Sequence, residues 1–67
     1  MTIKDFAPYF DFNTRVKITT AAQSYVGIIT GFEDELDTES KKDELELDVG
    51  DHYVMIEISD ILSVDKV

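Results

Sequence analysis

Hydrophobic and polar positions alternate along much of this chain, the pattern of strands with one buried face. Arg15-Val-Lys-Ile-Thr19 sets Val16 and Ile18 against Arg15, Lys17 and Thr19 and predicts a first strand. Thr20-Ala-Ala-Gln-Ser24 then turns the chain into Tyr25-Val-Gly-Ile-Ile-Thr-Gly-Phe32, the longest β-prone run, which holds two of the three glycines. Glycine inside a strand forfeits packing and backbone entropy, so Gly27 and Gly31 predict a bend where an added Cβ would clash. If Ile29 points inward, strict alternation turns Phe32 outward, and a bulge near Thr30-Gly31 returns it to the core. Residues 24–33 therefore read as one long, sharply bent strand.

Glu44-Leu-Glu-Leu-Asp-Val49 has a clear period of two, with Leu45, Leu47 and Val49 on one face and three acids on the other. Gly50-Asp51 supplies a tight turn, and His52–Ile58 returns as a fourth strand with Val54, Ile56 and Ile58 inward. Ser59-Asp60 is a corner of one 3₁₀ turn, and Ile61–Val64 is a short last strand. At the other end Thr2 can cap one or two helical turns that Pro8 stops. Ile3, Phe6, Tyr9 and Phe10 share helical spacing and predict a plug over one end of the core; an aromatic binding patch is the alternative. The result is one all-β domain over residues 1–67: a helical or irregular cap at 1–12, then a small, half-open, five-stranded SH3-like barrel at 13–66. An acidic, mobile loop is expected at 33–43.

Sixty-seven residues leave room for one modest core. The absence of cysteine rules out disulfides and thiolate metal sites and fits a reducing compartment. No apolar run approaches the ~20 residues that span a bilayer, so a soluble, cytoplasmic chain without membrane contact is expected. Charge changes the picture most. Fifteen acidic residues against six basic ones give −9, and ten of the fifteen carboxylates fall between Glu33 and Asp51. That field repels phosphate backbones and anionic lipid and favours basic or neutral protein partners. The candidate interaction surface is Glu33, Asp34, Glu35, Asp37, Glu39, Glu44, Glu46 and Asp48.

Catalysis has little to stand on. The single His52 sits beside Asp51 at a strand start, and nothing in the pattern sets it against an activated nucleophile, so no enzyme is expected. Glu35, Asp37, Glu39, Asp43 and Glu46 approximate the alternate-ligand spacing of a calcium loop. However, Ser40 replaces the required glycine, Lys41 follows it, and the flanks read as strands, so no metal or other cofactor is assigned.

Tyr25-Val-Gly-Ile-Ile-Thr-Gly-Phe-Glu-Asp-Glu-Leu-Asp37 resembles the first signature of the Sm-like (LSM) family, with Gly27, Ile29, Phe32, Glu33, Leu36 and Asp37 at the recurring places. Val16-Lys-Ile18 is similar to the family's first strand and Ile61-Leu-Ser-Val64 to the end of its second signature. The resemblance covers most of residues 2–66 and implies the small barrel. It also implies RNA binding through an amide and a cation, but the matching positions here read Glu33, Asp37, Glu57 and Ile58. The expectation is therefore a protein-interaction or regulatory module that nucleic acid does not favour. One alternative is a divergent Sm-like RNA-binding protein that uses Arg15, Lys17, Tyr25 or the N-terminal aromatics; another is an acidic mimic of nucleic acid. The family's rings pair fourth strand with fifth, here His52–Ile58 with Ile61–Val64, yet each subunit would bring nine negative charges, so a monomer or weak dimer is expected.

Overall fold

The computed structural model describes residues 1–67. The order of elements is a short helix α1 (Ile3–Phe6), a 3₁₀ turn (Ala7–Tyr9), β1 (Arg15–Thr20), β2 (Ser24–Glu33), β3 (Glu44–Asp48), β4 (Tyr53–Glu57), a second 3₁₀ turn (Ile58–Asp60) and β5 (Ile61–Lys66). All neighbouring strands are antiparallel, in the spatial order β4-β3-β2-β1-β5. The expected all-β architecture of five strands behind a short N-terminal helix is what forms. The ladder does not close on itself, so β4 and β5 are its two edges. The molecule measures 30 × 24 × 22 Å. Thr20 of β1 lines one surface groove with Met55 and Glu57 of β4, although two strands separate them in the strand order, so the sheet curls around its own side chains.

β2 makes the curl. Val16 pairs with Gly27 and Arg15 with Ile28 on one side of it, while Ile28 pairs with Asp48 and Ile29 with Leu47 on the other. A Cβ on Gly27 would stand 2.9 Å from the carbonyl carbon of Asp48 and closer still to its oxygen, so only glycine lets β3 cross here. Past Ile29 the register slips: Gly31 faces Glu46 and Phe32 faces Leu45, leaving Thr30 as the extra residue. This bulge returns Phe32 to the side of Leu45, packed against the core, as the parity of the strand requires. Gly31 differs from the expectation. An added Cβ there comes no closer than 3.7 Å to Glu46 Oε1, an ordinary contact, because the bulge opens the ladder at this position.

The core is Phe6, Val16, Ile18, Ile29, Leu45, Leu47, Ile56, Ile58 and Ile61, all buried. Asp5 anchors α1 by accepting the Thr2 N–H at 2.7 Å, and Phe6 drops into the core with Ile3 and Tyr9 packed beside it. Phe10 departs from the predicted plug and stands 45% exposed. The 3₁₀ turn at Pro8 advances ~120° per residue instead of ~100°, which rotates Phe10 off the buried face. It meets Phe32 and Phe12 edge to face, with ring centroids 5.4 and 5.8 Å apart.

Glu33, placed in the acidic loop expected at 33–43, ends β2, and residues 34–43 form the connection, tied by hydrogen bonds of its own. Thr38 is buried; its hydroxyl donates to the Lys42 carbonyl at 2.8 Å and accepts the Lys42 N–H at 3.1 Å, and Lys41 turns the chain back with a left-handed φ of 62°. β5 runs two residues beyond its predicted end because Asp65 and Lys66 continue the pairing with β1. Leu62 is the extra residue where that ladder shifts, which leaves its side chain 65% exposed. No helix of the chain is long and apolar enough to cross a membrane.

Candidate functional site

Of the eight acids singled out in the sequence, Glu33 ends β2 and the other seven fall into two groups. Asp34, Glu35, Asp37 and Glu39 are exposed on the loop, where Asp34 accepts the Leu36 N–H at 2.8 Å and Asp43 accepts the Glu35 N–H at 2.9 Å. These short bonds fold the loop and leave the remaining carboxylate oxygens to water. Glu44, Glu46 and Asp48 lie along the outer face of β3, because Leu45 and Leu47 between them face the core. Glu46 accepts the Thr30 hydroxyl at 2.7 Å across the bulge, Glu44 accepts the Ser40 hydroxyl at 2.9 Å, and Asp48 accepts the Gly50 N–H at 2.9 Å in the turn.

Register adds a feature that composition hides. Glu33 on β2 pairs with Glu44 on β3, and Glu44 pairs with Glu57 on β4, so three carboxylates stand side by side across three neighbouring strands. Like charges directly opposite one another destabilise a sheet by roughly 0.2–1 kcal/mol per pair. The only lysine near enough to relieve the row is Lys42, whose Nζ lies 3.7 Å from Glu57 Oε2. The row ends at a free edge. Hydrogen bonds from the Val49 N–H to the His52 carbonyl and from the Ile58 N–H to the Asp43 carbonyl fix the phase of the β3–β4 ladder. In an antiparallel pair every second residue bonds inward, so Val54 and Ile56 bond to β3 while Tyr53, Met55 and Glu57 direct their N–H and C=O groups to the open side. Tyr53 and Met55 are exposed beside them, at 62% and 40%.

Along the second half of this edge runs a groove of ≈ 320 Å³. Met55, Ile56 and Glu57 line it on one side, Thr20, Ala22 and Tyr25 of the β1–β2 hairpin on the other. Its charged lining consists of Glu44, Glu57 and Asp60, with no cation among the residues that form it. Arg15 and Lys17 stand apart, exposed on the outer face of β1.

The residues weighed for catalysis and calcium are dispersed. His52 is exposed at the β3–β4 turn with Nδ1 2.6 Å from Asp51 Oδ1, and the hydrogen bond from His52 holds the Asp51 carboxyl below its ordinary value of 3.8. No three acidic, histidine or cysteine side chains converge as a metal would need. Glu46, the last residue of the calcium-like spacing, belongs to the strand and is engaged by Thr30.

Sequence reasoning found the acids and the edge-forming strands but missed the groove, since Thr20–Tyr25 and Met55–Glu57 meet only after the sheet curls. It also missed the Glu33–Glu44–Glu57 row, whose available signals were the bulge that sets β2 against β3 and the Gly50-Asp51 turn that sets β3 against β4. Compared with known proteins, the chain matches no family model, no curated protein and no solved structure.

Proposed function

We propose that this chain is a non-enzymatic protein-interaction module on a small Sm-like, SH3-like half-open barrel, and that it holds its partner along the free edge of β4. The observation that carries this reading is the set of unpaired backbone groups of Tyr53, Met55 and Glu57 beside a groove of mixed apolar and acidic lining. An exposed edge strand is a template for another chain, and sheets that avoid such pairing blunt their edges with lysine, proline or a bulge. β4 has none of these. Backbone pairing supplies affinity in strand addition, and side-chain pockets supply selectivity.

The Sm-like reading draws support from the close backbone approach at Gly27 and from the bulge that turns Phe32 inward. RNA binding draws none, since the positions the family uses for bases hold Glu33, Asp37 and Glu57, and a carboxylate beside a phosphate track opposes binding. Proline at position 55 tests the edge directly, because the Met55 N–H has no partner inside the molecule and its loss breaks no ladder bond. Extended peptides selected from a random display library on the wild-type protein are expected to lose binding to Met55→Pro, while circular dichroism of the variant stays native. Selected peptides that bind both proteins equally would overturn the reading, as would submicromolar, salt-sensitive binding of labelled U-rich or A-rich oligomers.

A further inference from the structure

We propose that the segment bound at β4 is an extended strand of a partner protein carrying lysine or arginine at alternate positions. The inference rests on the reading of β4 as a docking edge and specifies its occupant. A strand added to β4 pairs with Tyr53, Met55 and Glu57, and its side chains on the outer face stand opposite these three, two residues apart. Each meets a surface suited to a long cationic side chain. The ring of Tyr53, 62% exposed, offers a face for a cation, and Met55 offers an apolar bed for an aliphatic stem. Glu57 supplies a carboxylate at the end of the edge, where the groove also exposes Glu44 and Asp60.

One strand further in, ~10 Å from the added chain by the usual interstrand spacing, Glu44, Glu46 and Asp48 form a parallel row of acids facing the same way. A basic strand relieves the repulsion of Glu33, Glu44 and Glu57, which one lysine at 3.7 Å meets only in part. A strand bearing acids adds to that repulsion. The same contrast weighs against a second copy of this chain: the outer face of its β5 carries Ser63 and Asp65, while the one cation of that strand, Lys66, pairs with core-facing Val16 and so belongs to the other face, and Lys17 lies a strand further in, opposite Asp65.

Three synthetic peptides test the proposal, with threonine alternating with lysine, glutamine or glutamate, each titrated into the isotopically labelled protein while backbone amide shifts are followed. The lysine peptide is expected to shift the Tyr53, Met55 and Glu57 amides and to bind about tenfold more tightly than the glutamine peptide at low salt, with the advantage shrinking as salt rises. Met55→Pro is expected to abolish binding of the lysine peptide. Glu57→Lys, at the half-buried end of β4, removes the carboxylate that Lys42 meets, and is expected to weaken binding and to admit the glutamate peptide, so the proposal stays testable even if the proline variant unfolds. Equal binding of the lysine and glutamine peptides at β4 would overturn the basic occupant while leaving the edge reading in place. Shifts confined to residues 34–43 would place the basic segment on the loop and overturn the proposal. A failure of all three peptides to move the β4 amides would overturn both.

Discussion

Gly27 and Gly31 differ in what lies across the ladder from each. A side chain at Gly27 must displace the Asp48 carbonyl, part of a backbone that β3 holds by its pairing on both sides, whereas Gly31 opens toward the far end of the Glu46 side chain. Gly27→Val is therefore expected to destabilise by about 2–3 kcal/mol, and Gly31→Val to stay within ~0.5 kcal/mol of the wild type. Urea midpoints of the two variants check the contrast. Asp51 gives a second prediction at this scale. His52 holds its carboxyl low, so the contact adds stability only above the ordinary value of 3.8 and loses it as pH falls through the lowered one. Both side chains stand in water, so the effect on unfolding is small, and the direct readout is the Asp51 carboxyl carbon followed by NMR. Its titration midpoint is expected below 3.8, rising toward that value in His52→Gln.

Strands were legible where one physical demand ruled them. β3 announced itself because every second residue is a core leucine and the rest are acids, and the bend of β2 followed from its two glycines and from parity, since Phe32 could reach the core side only through an extra residue. The length of β5 was hidden because Asp65 and Lys66 look like a polar tail, yet their backbones pair with Lys17 and Val16. Thr38 was illegible for a related reason: a threonine among charged residues reads as solvent-facing, and only the closed loop makes it a buried anchor with Lys42 on both ends of its hydroxyl. The acidic site was half legible. The acids were plain in the sequence, but their alignment into one row depends on registers set by the bulge on one side and by the Gly50-Asp51 turn on the other. That row gives a prediction of its own. Glu44→Gln removes the central charge and keeps an oxygen to accept the Ser40 hydroxyl, so it is expected to stabilise by ~0.5 kcal/mol in thermal unfolding. The same variant is expected to bind the lysine peptide more weakly, which would mark the repulsion as a feature of binding and not of the fold.

For the whole molecule, charge and open edges act against each other. β4 and β5 are both free, and β5 carries Leu62 exposed near its start, so copies of this chain have the means to pair edge to edge. Each copy also brings a net −9, and joining β4 to a neighbour's β5 adds Asp65 to the surroundings of Glu44, Glu46 and Glu57. With a screening length of ~10 Å at ordinary salt and ~3 Å at 1 M, contacts among these carboxylates are only partly damped in the first condition and largely damped in the second. A monomer, or at most a weak dimer, is therefore the expected species at low salt, with association appearing as salt rises. Light scattering coupled to size exclusion measures the mass in each condition. A stable closed ring at low salt would refute the charge argument, because the backbone pairing would then have outweighed the repulsion without screening. A monomer that assembles only at high salt would show the edge to be competent and the acids to be what keeps it open for a basic strand. Adding the lysine peptide at high salt separates these effects, since a peptide that occupies β4 must also block the association.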